Sequence, residues 1–205
     1  REGCNHTPIA RAIRKDDPKR LQQILTFDSN TSVNDHIKWS AFDHIPFIKN
    51  SPTLIQYAAF YGSIKCFKYL LLNQANLRQL DANKELLINF AVAGGNSEIV
   101  RICMQEKISA FSALKPSTLF YRFDLMDWII ENVFPTYEIE KYTRLQNAFL
   151  YAIDSFNFIA ILELFPIIDI NGLYKSAAAQ NELILNILNL FEFSIAEKMN
   201  MLLYS

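Results

Sequence analysis

Glycine is scarce in this chain: Gly3, Gly62, Gly94, Gly95 and Gly172 are all there is in 205 residues. A nucleotide-binding parallel sheet needs glycine at its tight phosphate turns, and the Gly-x-Gly-x-x-Gly fingerprint is absent. Cysteine is scarcer still. Cys4, Cys66 and Cys103 are odd in number and far apart, which indicates no disulfide framework and suits a reducing compartment. There is no excess of either charge, the net being -1, so general polyanion binding, and with it nucleic acid, is disfavoured. No apolar run approaches the ~20 residues of a membrane-spanning helix. The opening residues REGCNHTPIA contain no signal core and no initiator Met, so the chain reads as a fragment of an intracellular, cytoplasmic protein. On the same ground the sequons Asn5-His6-Thr7 and Asn30-Thr31-Ser32 are discounted as glycan acceptors.

What is abundant is apolar surface. Hydrophobic residues make up 51% of the chain, with 16 Phe and 9 Tyr, enough for a sizeable core. Their spacing is helical and it repeats. In SPTLIQYAAFYGSIKCFKYLLLNQANL, residues 51–77, Ser51 is placed to cap a first helix with Pro52 at its first position. Ile55, Ala58 and Ala59 follow at helical spacing, Gly62 breaks the run, and Ile64, Phe67, Leu70 and Leu71 stripe a second helix. The same order of signals returns with Ala12-Ile13 before a break at Asp16, Ala91-Val92 before Gly95, a weaker copy around Tyr121, Ala152-Ile153 before Phe156, and Ala178-Ala179 before Glu182. Helix pairs are therefore expected near 7–27, 51–74, 84–106, 116–132, 143–165 and 173–191. Ser194 and Glu197 form a capping box for a terminal cap helix over 194–204. Each pair has an apolar stripe it cannot cover alone, so the pairs must stack.

Thr7-Pro8-Ile9, Ala58-Ala59-x-x-Gly62 and Tyr69-Leu70-Leu71 resemble the ankyrin-repeat pattern of Thr-Pro-Leu-His, an Ala pair, Gly and a Leu-rich second helix. The 33 residues from Gly62 to Gly95 match the ankyrin period. More narrowly, Pro46-Phe47-Ile48-x-Asn50, Ile55-Gln56-x-Ala58-Ala59 and Lys65-Cys66-Phe67-Lys68-Tyr69-Leu70 resemble a divergent ankyrin-like family of unknown function, expanded in parasitic protists. The resemblance implies an all-α, ankyrin-like helical-repeat solenoid of about six helix pairs forming a single domain over 1–205. The departures are specific. Ala10, Gln56 and Asn89 stand where the pattern has His. The interval from Asp16 to Gly62 is 46 residues, and those from Gly95 to Tyr121 and Phe156 to Glu182 are 26 each. The long interval predicts an inserted loop near 28–50; the short ones leave little room for projecting β-hairpin fingers, so the comb of fingers should be incomplete in the C-terminal half.

Little points to chemistry. Asp28-x-Asn30-x-Ser32 begins like a calcium loop, but Val33 and Trp39 stand where Gly and Glu are needed. Cys4, His6, His36 and His44 match no zinc spacing. Cys66 and Cys103 belong to the apolar stripes. Asp16-Asp17, Asp124/Asp127 and Glu138/Glu140 lie at helix breaks and on polar faces, where capping and solvation account for them. No nucleophile elbow, phosphate loop or metal helix is present, so no catalytic, cofactor or metal site is expected.

The site expected instead is a protein-binding surface. Phe60-Tyr61 occupy the end of an inner helix where the repeat pattern calls for no aromatic; rigid aromatics there suit a binding hot spot. The alternative is that the inserted loop, with Trp39, Phe42 and Phe47, folds over both rings. Arg14 and Lys15 are the equivalents of Phe60-Tyr61 in the first pair, within a basic group (Arg11, Arg14, Lys15, Lys19, Arg20) that either attracts an acidic partner or is a solvated outer face. The partner-binding candidates are thus Arg14, Lys15, Trp39, Phe42, His44, Phe47, Phe60 and Tyr61. The resulting expectation is a non-catalytic interaction scaffold. The rivals are a targeting or regulatory module fused to a catalytic domain beyond residues 1–205, and an enzyme using a groove between loop and helix pairs.

Overall fold

The computed structural model describes residues 5–168 other than 29, 42, 44 and 135–137. The sixth pair near 173–191 and the cap helix over 194–204 lie outside the described residues. The chain divides into two compact units, Arg1–Thr136 and Tyr137–Ser205.

The first unit stacks four helix pairs. They are α1 (Pro8–Arg14) with α2 (Pro18–Phe27), α4 (Leu54–Phe60) with α5 (Ile64–Leu72), α6 (Leu87–Gly94) with α7 (Ser97–Gln105), and α8 (Leu114–Leu119) with α9 (Phe123–Asn132). A single turn, α3 (Pro46–Lys49), lies inside the insertion, and a 3-10 turn at Phe111–Ala113 leads into α8. The first helices of the pairs pack in one row, α1 on α4 on α6 on α8; behind them α2 packs on α5 and α5 on α7. Close approach along the inner row needs small residues, and Ala12, Ala58, Ala59 and Ala91 are all buried there. Gly94 is the tightest point: a Cβ on it would lie 2.2 Å from the Ala59 carbonyl oxygen and 2.7 Å from that of Phe60.

The breaks expected at Asp16, Gly62, Gly95, Tyr121 and Phe156 all adopt left-handed backbone, with φ of 50°, 64°, 76°, 57° and 53°. The residues after four of them, Asp17, Ser63, Arg122 and Asn157, donate backbone N–H groups to the carbonyls of Ala12, Ala58, Ser117 and Ala152 at 2.8–3.0 Å. This is the Schellman way of ending a helix, which satisfies carbonyls the helix leaves open. Gln74 and Lys107 end α5 and α7 likewise, at φ of 63° and 59°. The scarcity of glycine is thus met by placing ordinary residues in a conformation that disfavours them.

Consecutive pairs are tied from turn to turn. The Asp16 carboxylate accepts from the N–H groups of Cys66 at 2.8 Å and Lys65 at 3.2 Å, capping α5 from the preceding pair. Asn96 donates to the Gly62 carbonyl at 3.2 Å, and Arg122 donates to the Ala93 and Gly94 carbonyls at 2.9 and 3.2 Å.

One expectation is corrected here and another is extended. The cap of α4 is Thr53, not Ser51. Its hydroxyl accepts from the Gln56 N–H at 3.3 Å while the Gln56 side chain accepts from the Thr53 N–H at 2.8 Å, closing a capping box. Ser51 instead bends the chain, at φ 50°. Hairpin fingers are missing from more than the C-terminal half: among the described residues there is no strand, and the His36–Thr53 bridge is the trace of pairing that remains. Side chains hold the linkers in place of a ladder. The buried Gln56 amide donates to the Gln79 and Glu85 carbonyls at 3.1 Å each. Asn89 bonds the Glu85 carboxylate and accepts from Ser112 at 2.8 Å. Both sit where the ankyrin pattern has His.

In the second unit, α10 (Glu138–Asp154) pairs with α11 (Phe158–Leu164) and a 3-10 turn at Phe165–Ile167. Asn157 caps α11 by accepting from the Ala160 N–H at 3.2 Å. Leu145, Phe149, Ala152, Ile161, Leu164 and Phe165 form the buried seam.

Candidate functional site

The insertion is built back onto α4. Backbone bonds from Ile37 N to Pro52 O at 2.7 Å and Leu54 N to Asp35 O at 3.0 Å lay residues 35–37 beside 52–54. His36 Nδ1 lies 2.6 Å from the Ser51 carbonyl oxygen and its Nε2 2.8 Å from the Gln79 side-chain amide, so both ring nitrogens are engaged. Asn5 is fully buried. Its amide donates to the Lys38 carbonyl at 2.9 Å and to the buried Asp43 carboxylate at 3.1 Å. A glycan on Asn5 is incompatible with this fold.

From the end of the insertion, α3 delivers Phe47 into a group of rings. Its centroid lies 4.6 Å from Phe90, 5.6 Å from Phe120 and 6.1 Å from Phe60. Phe60 meets Phe120 at 5.4 Å and Tyr61 at 5.3 Å, both edge to face. Tyr61 lies 4.7 Å from the buried Tyr57 ring. Arg14, on α1, donates to the Tyr57 hydroxyl at 2.8 Å and places its guanidinium 5.9 Å from the Tyr61 ring centre, within cation–π range. Burial is the main reason the Tyr57 phenol titrates well above its ordinary value.

Arg14, Phe47, Phe60 and Tyr61 are therefore brought together. The two alternatives for Phe60-Tyr61 meet halfway: Phe47 from the insertion covers part of Phe60, and both Phe60 and Tyr61 keep partial exposure. Lys15 is exposed at the C-cap of α1. Trp39 is 61% exposed and makes no ring contact with the cluster among the described residues. Phe42 and His44 lie outside the described residues. Phe120 was not anticipated, although it directly precedes the break at Tyr121 and so takes the same slot as Tyr61. Tyr57 and Phe90 were concealed as ordinary core positions.

The remaining candidates for chemistry are engaged structurally. Asp28 accepts from the Asn30 N–H at 3.1 Å and the Thr31 hydroxyl at 2.7 Å, and the Thr31 bond foremost holds its carboxyl below the ordinary range. A cavity of about 250 Å³ between the first pair and the insertion contains Asp28, Asp35 and His36, but Asp35 is committed to the Ser32 N–H at 2.8 Å and His36 to the bonds above. Asp17 caps α2 through the Arg20 N–H at 3.0 Å. Burial pushes the Cys66 and Cys103 thiols up to about 12, which makes them packing groups rather than nucleophiles. Among the described residues no three His, Cys, Asp or Glu side chains are grouped as a metal site requires, and no helix is long and apolar enough to cross a membrane.

The human ASB11 ankyrin repeat domain superposes on this chain with a TM-score of 0.52 at 16% identity, covering 79% of this chain and 69% of that one. The fold is of the ankyrin-repeat type. No family model matches the sequence, and no curated protein matches it.

Proposed function

We propose that this chain is a non-catalytic protein–protein recognition module that binds its partner through the Phe60-Tyr61 cluster, the inner-row face beside it and the insertion. The observation that carries this reading is the partial exposure of Phe60 and Tyr61 on rings already held against the buried Tyr57 and the half-buried Phe47 and Phe120. Such rings lose little freedom on binding, so contact area converts efficiently to affinity. Arg14 adds a donor at the rim, and helical-repeat folds commonly bind along the concave inner row. Lys15, Trp39, Phe42 and His44 extend the proposed surface. The narrower kinship with the protist ankyrin-like family rests on the residue runs within 46–70.

The test is affinity capture from lysate of the source cell with the wild type and the Phe60→Ala/Tyr61→Ala variant. The expected outcome is loss of one captured protein, by about tenfold or more as for a hot-spot pair, with far-UV circular dichroism unchanged. Undiminished capture, or helicity lost in step with capture, would remove the site.

A further inference from the structure

The helices that supply the ring cluster share one sign of charge. Across α1, α3, α4, α6 and α8 the charged side chains are Arg11, Arg14, Lys49 and Lys115, and there is no acid. In the outer row, α2 and α5 also carry only bases, and the acids Glu98, Asp124, Asp127 and Glu131 stand further along, on α7 and α9. Lys115 is partly neutralised by Glu85 at 3.8 Å. Arg11, Arg14 and Lys15 stand at spacings i, i+3 and i+4, which places them on one side of α1. Arg11 and Lys15 are exposed and join no ion pair among the described residues. Arg14 connects that side to the rings through Tyr57 and Tyr61. The nearby Asp16 is committed to the N–H groups of Lys65 and Cys66.

We infer that the partner segment is an acidic peptide with an aromatic or aliphatic anchor. The anchor packs on Phe60 and Tyr61, and carboxylates beside it face Arg11, Arg14 and Lys15. This rests on the recognition reading above and adds the chemistry of the partner. Nucleic acid fits less well. A few cations on one helix displace few counterions, so phosphate binding fades at physiological salt, whereas aromatic packing does not.

The experiment uses a displayed library of random 16-residue peptides, selected on the full chain and counter-screened on Phe60→Ala/Tyr61→Ala. The expected pool depends on Phe60 and Tyr61, is richer in Asp and Glu than in Lys and Arg, and binds on the order of tenfold more weakly to Arg11→Glu/Lys15→Glu. That loss should shrink as salt is raised. Arg11→Gln/Lys15→Gln should lose less, which guards against a reversal that merely unfolds α1. A pool that needs Phe60 and Tyr61 but is neutral or basic overturns the acidic partner and leaves the recognition surface standing. A pool indifferent to Phe60 and Tyr61 overturns both. Displacement of the pool by a single-stranded oligonucleotide at physiological salt also overturns the acidic-peptide assignment.

Discussion

Gly94→Ala is the sharpest test of how the inner row is spaced. Gly94 is the last residue of α6, so the backbone conformation itself suits Ala, and helix propensity alone would favour the change by up to ~1 kcal/mol. Space opposes it. The new methyl would sit 2.2 Å from the Ala59 oxygen and 2.7 Å from the Phe60 oxygen. Both are main-chain atoms, so no rotamer can yield, and restoring ordinary contact means moving α4 and α6 apart by about 1 Å. The groups along that seam, including Ile55, Ala58, Phe90 and Ala91, are at most 2% exposed and would lose packing together. Overpacking of this kind costs about 1–3 kcal/mol, and the rigid backbone on both sides argues for the upper end, a net loss of about 2 kcal/mol after the propensity gain. Urea unfolding should show a lower midpoint at an unchanged slope. Because the Phe60 carbonyl is one of the obstructed atoms, the near-ultraviolet dichroism of the ring cluster should change as well. A midpoint equal to or above wild type would show that α4 and α6 are not this close.

Other consequences are equally direct. Lys107→Gly removes an exposed residue from left-handed backbone at φ 59° and should raise stability by about 0.5–1 kcal/mol in the same urea assay. Asp16→Ala takes both acceptors from the start of α5 and should lower stability by about 1–2 kcal/mol, with amide exchange rising first at Lys65 and Cys66. Burial raises the Asp81 carboxyl above its ordinary value. The folded state therefore holds its proton more tightly than the unfolded chain, and the associated stability is present at low pH and lost as pH rises through the folded value. Asp81→Asn should make unfolding free energy less dependent on pH as pH rises above the ordinary carboxylate range, whereas an unchanged pH slope would refute the raised value.

The helix pairs were legible where the signal was local. The five described breaks needed no particular residue type, because whatever stands between two helices at that spacing must take the left-handed turn; Asp16, Tyr121 and Phe156 do so as Gly62 and Gly95 do. The fourth pair looked weak because Ser117-Thr118 replace the apolar doublet. Their hydroxyls are buried but donate back to the Leu114 carbonyl at 2.7 and 3.0 Å, so a polar pair packs as an apolar one would. The capping box of Thr53 and Gln56 was present in the sequence and was hidden by the more familiar Ser51-Pro52. At the site, Phe60-Tyr61 stood out as a departure from the repeat. The reach of Phe47 onto Phe90 and of Arg14 onto Tyr57 spans about 43 residues in each case and depends on the route of the insertion, which no local pattern specifies.

The turn-to-turn ties bear on how such a chain changes over generations. At each of the three junctions one partner is a side chain (Asp16, Asn96 or Arg122) and the other is main chain. Every residue supplies a carbonyl, and every residue but proline an N–H, so half of each tie is indifferent to substitution. For these ties selection has one side chain per junction to guard, alongside the small residues such as Gly94 that set the spacing of the inner row. A chain held this way can retain an ankyrin-type fold at 16% identity to another and still acquire a new inner-row surface of its own.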